Sequence, residues 1–143
     1  MSVAGAPMSA EQLEARRVEL EAELGEAITV DGLSATWSIF QRKRGHRHST
    51  DDLLTAWYAL EKAARPLPKT TLDLGTGIGS VGLLVLSGLG PDAQLTCIEA
   101  QDVSHRFLLE NLRANGVTHR VRALHGDLRD LELATRFPLV TGS

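Results

Sequence analysis

The segment from Leu72 to Gly82, Leu-Asp-Leu-Gly-Thr-Gly-Ile-Gly-Ser-Val-Gly, constrains this chain more than any other. An apolar run ends in an acid and then breaks into glycines at alternate positions. This pattern predicts a strand that passes through a bare loop into a helix beginning near Ser80. Glycines allow positive φ angles and close approach of a ligand to the main chain, and the helix start adds unpaired N–H groups. A nucleotide-like ligand fits such a loop.

Two ligand classes compete for this loop. The run from Gly77 to Gly82 reads Gly-x-Gly-x-x-Gly, the fingerprint of dinucleotide-binding folds, which favours an NAD(P)-binding domain. Asp73 lies two residues before Gly75, however, and a carboxylate above the loop would repel a pyrophosphate and hold an ammonium group. That charge favours S-adenosylmethionine. A glycine turn without any ligand is a third interpretation, although alternating glycines weaken an element that gains nothing from them.

Two later strands are also followed by acids. Residues 94–99 predict a second strand that ends in Glu99, whose carboxylate can accept hydrogen bonds from both ribose hydroxyls of either cofactor. Residues 120–125 alternate as a third strand, and Asp127 follows it. Parallel strands end at one edge of a sheet, so we expect Asp73, Glu99 and Asp127 to surround one crevice.

The segment LDLGTGIGSVGL resembles the first motif of the class I S-adenosylmethionine-dependent methyltransferases. The preceding GHRHSTDDLLTAWYAL is similar to the segment before that motif in the tRNA adenine-N6 methyltransferases and their glutamine-modifying relatives. The resemblance covers residues 45–143. It implies that Thr50 and Asp51 lie near the cofactor, unless they only cap the helix. The residues it assigns to the cofactor are Asp73, Gly75, Thr76, Gly77, Gly79, Glu99, Ala100, Asp127 and Leu128. The glycine loop would hold the methionine part, Glu99 the ribose and Asp127 the adenine.

Residues 137–143 predict a fourth strand. In amino-methylating members of the family, this strand leads into Asn, Asp or Ser followed by Pro-Pro and an aromatic residue, a motif that aims the acceptor nitrogen at the methyl group. Ser143 matches only the first position. It is therefore the candidate catalytic residue of an incomplete motif, and we expect the chain alone to be inactive. Truncation of a longer methyltransferase explains this pattern.

The resemblance implies an α/β fold, with a partial Rossmann-like parallel sheet of strand order 3-2-1-4. We predict a disordered tail over residues 1–8, an extension of one helix and a β-hairpin over 9–48, and an S-adenosylmethionine-binding domain over 49–143. The fourth strand would form an open edge, which suits a partner or a second copy of the chain.

The extension has clear local signals. Ser9 and Gln12 have the spacing of a capping box, which predicts a helix start. Asp31-Gly32 between two apolar runs predicts a hairpin turn. A second helix is expected to begin at Ser49. The buried side of that helix is predicted to consist of Leu53, Leu54, Trp57, Tyr58, Leu60 and Ala64.

A basic run from Arg42 to His48 follows the hairpin. Its two interpretations are a solvated loop and a surface that contacts RNA phosphates. His46 and His48 lack a second pair of ligands, so we predict no metal site.

Composition narrows the class of protein. The net charge of −3 argues against binding nucleic acid by bulk charge alone. The single cysteine, Cys97, lies in an apolar run and indicates a reducing, cytoplasmic location. No run approaches the length of a membrane span. The sequence thus predicts an S-adenosylmethionine-dependent N-methyltransferase that acts on adenine N6 of RNA such as tRNA. The alternatives are a protein glutamine methyltransferase, a non-catalytic binding module and an NAD(P)-binding domain.

Overall fold

The computed structural model describes residues 5–142. Its helices are α1 (Ala10–Leu24), α2 (Thr50–Lys62), α3 (Ser80–Leu89) and α4 (Asp102–Ala114), with a short 3-10 helix at Thr118–Arg120. Its strands are β1 (Ile28–Gly32), β2 (Ser38–Arg42), β3 (Thr70–Leu74), β4 (Gln94–Glu99), β5 (Val121–His125) and β6 (Val140–Gly142).

The main sheet is parallel and has the order β5-β4-β3-β6. This confirms the partial Rossmann-like sheet of order 3-2-1-4. Along the chain, β4 and then β5 are added on one side of β3, and β6 pairs with β3 on its other side. In open parallel sheets such a reversal marks the place where ligands bind, at the carboxyl ends of the strands.

Apolar residues on α3 and β4 form the main core. Leu83, Val85 and Leu86 in α3 are fully buried, as is Cys97 in β4. This helix is apolar on nearly every side because it packs against β3 and β4 on one face and α2 on another. Burial raises the pKa of the Cys97 thiol to about 12, so this cysteine is an unreactive core residue.

The N-terminal helix and the hairpin pack against α4. Ile28 and Phe40 of the hairpin form a second core cluster with Leu20 of α1 and Phe107 of α4. The predicted capping box is present, because Ser9 Oγ accepts from the amide of the third helical residue at 3.2 Å. Residues 1–4 of the predicted tail lie outside the described residues. At the last residue of the predicted tail, the amide of Met8 donates a hydrogen bond to the carbonyl oxygen of Ala114 at 2.8 Å.

Two local predictions were wrong. The hairpin turn is not Asp31-Gly32, since both residues are paired within β1, and the turn comes after them. Asp31 is held in the strand by hydrogen bonds from Thr29, Gln41 and Arg47. The second error concerns α2, whose Leu53, Leu54, Trp57 and Tyr58 are 53–59% exposed rather than buried. No helix in residues 5–142 has the length and hydropathy needed to cross a membrane.

Candidate cofactor-binding site

A cavity of about 310 Å³ opens at the carboxyl edge of β3 and β4. We call it the crevice. The residues that line it are His46, His48, Asp52, Gly75, Thr76, Gly77, Ile78, Ser80, Glu99, Gln101 and Ser104. It therefore lies where the sequence analysis expected a ligand, between the glycine loop and the end of the second parallel strand.

The glycine loop presents an open backbone to the crevice. Gly77 has φ of +60°, and a Cβ added there would meet no heavy atom within 4 Å. The amides of Gly77 and Ile78 donate no hydrogen bond to any group in residues 5–142. By contrast, the amide of Thr76 is used by the Ile98 carbonyl oxygen at 2.9 Å. Two backbone donors and the start of α3 are thus available to an anionic or polar ligand group.

Asp73 does not line the crevice. It is 1% exposed and lies beneath the glycine loop. Its Oδ2 accepts hydrogen bonds from Thr76 Oγ1 at 2.6 Å and from the Gly82 amide at 3.1 Å, and its Oδ1 accepts from Thr141 Oγ1 at 2.8 Å. Burial raises the pKa of the Asp73 carboxyl, partly opposed by these hydrogen bonds. The expectation that Asp73 faces a shared crevice therefore fails, because its oxygens are used to hold the loop against β6.

Glu99 does line the crevice. It is the last residue of β4 and is 9% exposed. Its backbone carbonyl oxygen accepts from the Gly126 amide at 3.0 Å, whereas its carboxylate accepts no hydrogen bond within residues 5–142. A buried carboxylate costs free energy unless donors compensate it. Glu99 is thus the one lining carboxylate of the described chain whose two oxygens are both available to a ligand.

The residues after β5 lie apart from the crevice. Asp127 is bound by Arg129, with Oδ2 at 2.6 Å from Nη2, and this contact lowers the pKa of the Asp127 carboxyl. Leu128 is 46% exposed. The carbonyl oxygen of Ala100 is 3.2 Å from His125 Nε2. The third acid therefore does not join Asp73 or Glu99, since its carboxylate pairs with a neighbouring side chain. Ser143 lies outside the described residues.

Asp52 and Ser80 are among the lining residues that were not predicted from the sequence. Asp52, in the first turn of α2, accepts a hydrogen bond from Ser80 Oγ at 2.9 Å, and both residues line the crevice. The neighbouring residues that the resemblance had suggested lie elsewhere: Thr50 lines a separate cavity of about 300 Å³, and Asp51 is exposed. The available signal was the capping box of Ser49 with Asp52, which places this acid at the third helical position.

A histidine pair stands beside Glu99. The rings of His105 and His125 stack at 4.5 Å, and His125 Nε2 lies 2.9 Å from Asp102 Oδ1. The Nδ1 of His105 is buried without a hydrogen-bond partner in the described chain. Burial and the nearby His125 lower the pKa of His105.

Negative charge dominates the crevice. Two carboxylates, on Asp52 and Glu99, line it, and the lining residues include no Lys or Arg. The field in the crevice therefore favours a cationic ligand over one that carries phosphates.

Comparisons with known proteins find relatives of the kind that the sequence motifs suggested. No protein-family model matches the chain. It is 33% identical over 78 residues to the tRNA1(Val) (adenine(37)-N6)-methyltransferase of Actinobacillus succinogenes, covering 54% of this chain and 31% of that protein. It is 29% identical over 102 residues to the protein of the same name from Porphyromonas gingivalis, covering 68% of this chain and 40% of that protein. The chain spans well under half the length of these curated relatives.

Solved structures share the fold. Superposition on M. jannaschii TYW2 in complex with AdoMet gives a TM-score of 0.62 at 18% identity, covering 76% of this chain and 47% of that one. The M. jannaschii tRNA m1G37 methyltransferase gives a TM-score of 0.60 at 14% identity, covering 76% of this chain and 33% of that one. These comparisons confirm, in sequence and in fold, the resemblance of the chain to the class I S-adenosylmethionine-dependent methyltransferases.

Proposed function

We propose that this chain binds S-adenosylmethionine in the crevice and forms the cofactor-binding part of an RNA N-methyltransferase. The observation that carries the proposal is the carboxylate of Glu99, which borders the crevice and accepts no hydrogen bond within residues 5–142. A carboxylate with two available oxygens at this strand end suits a pair of ribose hydroxyls. The AdoMet complex of the structural neighbour, which shares the fold, supports the choice of ligand.

Charge separates this ligand from a nicotinamide dinucleotide. S-adenosylmethionine carries a sulfonium and an ammonium group against a single carboxylate, whereas a dinucleotide carries a pyrophosphate. The two lining carboxylates, Asp52 and Glu99, would repel the pyrophosphate. The free amides of Gly77 and Ile78 can still serve the one carboxylate of the methionine part.

The chain's residues then have distinct tasks. When bound, S-adenosylmethionine supplies an electrophilic methyl group. Gly75 and Gly77, which line the crevice, keep the loop backbone close to the ligand, whereas Gly79 does not line it. Thr76 is fixed by Asp73 below the loop. Glu99 orients the ribose. These contacts position the ligand for in-line transfer, and positioning is a large part of such catalysis.

The adenine would lie toward Ala100, Asp127 and Leu128. This placement requires Asp127 to exchange its partner Arg129 for the adenine amino group. The side chain of Arg129 is 87% exposed, so the ion pair contributes little and can be exchanged. Ser143 is proposed as the first residue of the motif that receives the acceptor nitrogen.

The proposed acceptor is adenine N6 of a tRNA. The curated relatives are named for that reaction, whereas one structural neighbour is titled a tRNA m1G37 methyltransferase, so the base is the finer part of the proposal. The basic run supports an RNA partner. Arg42 and Arg47 pair with acids of the hairpin region, but Lys43 and Arg44 are exposed and form no ion pair in the described chain.

Calorimetry tests the cofactor. We expect one molecule of S-adenosylhomocysteine to bind per chain and NAD not to bind. Glu99→Gln should weaken that binding by roughly 10- to 100-fold, because hydrogen bonds to a charged group contribute about 1.5–3 kcal/mol. Glu61→Gln, on the exposed side of α2, is the matched control and should leave affinity unchanged. Binding of NAD, or an equal response of the two variants, would overturn the cofactor assignment.

Salt-dependent binding tests the RNA partner. Labelled tRNA should bind, and the slope of log K against log salt should fall by roughly two when Lys43 and Arg44 are both changed to Ala, about one per lost phosphate contact. Lys69→Ala is the control, since this exposed residue precedes β3 at the opposite edge of the sheet. An unchanged slope would show that the basic run does not contact the phosphates of tRNA. If tRNA fails to bind while S-adenosylhomocysteine binds, a protein acceptor is favoured.

Methyl transfer from labelled S-adenosylmethionine tests the base, and it is measured on a methyltransferase that carries this chain together with the complete motif, because the chain alone is expected to be inactive. Product recovered from tRNA as N6-methyladenosine supports the adenine assignment. Product recovered as N1-methylguanosine would overturn it.

A further inference from the structure

The amino group of the proposed cofactor needs a charged partner, and Asp73 is not placed to provide one. Asp73 is 1% exposed and accepts three hydrogen bonds from Thr76, Gly82 and Thr141. A ligand in the crevice would have to displace the loop to reach it. The ammonium group therefore requires a different carboxylate.

Asp52 is the remaining carboxylate of the crevice once Glu99 is assigned to the ribose. Its Oδ2 accepts from Ser80 Oγ at 2.9 Å and from the Ser49 amide at 3.2 Å. Its Oδ1 accepts no hydrogen bond within residues 5–142. One oxygen of Asp52 is thus fixed by the protein, and the other is available to a ligand.

The position of Asp52 next to the start of α3 indicates which group of the cofactor it would contact. Ser80, to which Asp52 is bound, is the first residue of α3. The start of this helix and the loop amides of Gly77 and Ile78 form the part of the crevice that attracts a carboxylate. In an amino acid the carboxylate and the ammonium group are attached to the same carbon. A methionine carboxylate bound at the start of α3 therefore brings its ammonium group next to Asp52.

We infer that Asp52 holds the α-ammonium group of the cofactor's methionine part, while Asp73 positions the glycine loop from below. The inference rests on the proposed function and assigns a specificity-determining contact within the same crevice. It also divides the ligand between two carboxylates: Glu99 recognises the adenosine half and Asp52 recognises the amino acid half.

Ligands that differ in the amino acid half test this division. S-adenosylhomocysteine contains the amino acid, whereas 5′-methylthioadenosine lacks it. By calorimetry, Asp52→Asn should lower the affinity for S-adenosylhomocysteine by roughly 10- to 100-fold, as expected for loss of a charge-assisted hydrogen bond. It should leave the affinity for 5′-methylthioadenosine unchanged. Glu99→Gln should weaken both ligands. The asparagine oxygen can still accept from Ser49 and Ser80, so the variant retains the local contacts.

Glu61→Gln is the matched control, because this exposed acid lies in the same helix, α2, but does not line the crevice. This control variant should leave the affinity for both ligands unchanged. Equal losses of the two ligands in Asp52→Asn, or no loss of either, would show that Asp52 is only structural and would overturn the inference. Failure of the wild-type chain to bind either ligand would instead refute the proposed function.

A second measurement keeps the test independent of the variant's folding. On the wild-type chain, the deaminated analogue of S-adenosylhomocysteine should bind more weakly than S-adenosylhomocysteine by the same factor that Asp52→Asn produces. In Asp52→Asn the two ligands should bind equally, which is the signature of a direct contact in a double-mutant cycle. Equal binding of the two ligands to the wild-type chain would overturn the inference.

Discussion

Asn111 of α4 connects the N-terminal hairpin to the glycine loop. It is fully buried, and its Oδ1 accepts from the Phe40 amide at 2.6 Å. Its Nδ2 donates to the carbonyl oxygen of Phe40 at 3.2 Å and to that of Ile78 at 2.9 Å. One side chain thus satisfies both backbone groups of a residue in β2 and one carbonyl in the loop that borders the crevice.

Asn111→Leu should strongly destabilise the chain. Leucine has a similar volume but leaves three buried backbone groups without partners. At about 1–1.5 kcal/mol for each lost hydrogen bond, the free energy of unfolding should fall by about 3–4.5 kcal/mol. Urea denaturation measures this as a lower midpoint at an unchanged m value. A loss below about 1 kcal/mol would refute the reasoning.

The matched control is Asn115→Leu, at the residue that follows the last residue of α4. Asn115 exchanges two hydrogen bonds with the backbone of Ser38, both at 2.8 Å, but does not touch the glycine loop. Both variants should be destabilised. At a temperature where both variants are folded, only Asn111→Leu should lower the affinity for S-adenosylhomocysteine, because only this variant loses the hydrogen bond to the carbonyl oxygen of Ile78. Equal affinities in the two variants would show that the hairpin and the crevice are not coupled through Asn111.

Three further perturbations have defined outcomes. Asp73→Asn should weaken the binding of S-adenosylhomocysteine and of its deaminated analogue by the same factor in calorimetry, because Asp73 shapes the loop and is buried away from the ammonium group. Gly79→Ala should lower the melting temperature, since its φ is +98° and the new Cβ would lie 2.7 Å from Leu108 Cδ1. Burial and His125 lower the pKa of His105, so the folded state takes up this proton less readily than the unfolded state. The contribution of neutral His105 to the free energy of unfolding should therefore be fully present above the unfolded pKa of about 6.5 and be lost as the pH decreases through the folded pKa. His105→Gln should reduce this loss, which denaturation at a series of pH values measures.

Local signals in the sequence predicted the centre of the fold well. The predicted helix after the glycine loop begins at Ser80, as α3 does, and the second strand predicted over residues 94–99 has the bounds of β4. Their patterns are short-range, because glycine placement and apolar runs act within a few residues. The strand order 3-2-1-4, by contrast, was implied by the resemblance to the class I methyltransferases, and the structure confirms it.

The face of α2 could not be predicted in the same way. Its apolar residues surround the helix, and periodicity does not say which of them meet a neighbour. The contact with α3 is made through small and aliphatic residues: Ala56 is 2% exposed, and a Cβ on Gly88 would lie 2.5 Å from Leu60 Cδ1. Close approach of the two helices through Gly88 leaves Trp57 and Tyr58 on the outer side. This outcome depends on a tertiary contact that a single helix does not encode.

Strand register explains why the three strand-end acids have different environments. Asp73 pairs with Cys97, so it lies level with a residue two positions before Glu99. At about 3.3 Å per residue, the carboxylate of Asp73 starts roughly 7 Å deeper in the sheet than that of Glu99. Glu99 pairs with His125, which places Asp127 two residues beyond the end of β5, in the following loop. One acid is therefore beneath the crevice, one at its border and one past the edge, although all three follow the same strand-then-acid pattern. Sequence can identify the edge, but register decides which carboxylate reaches a ligand there.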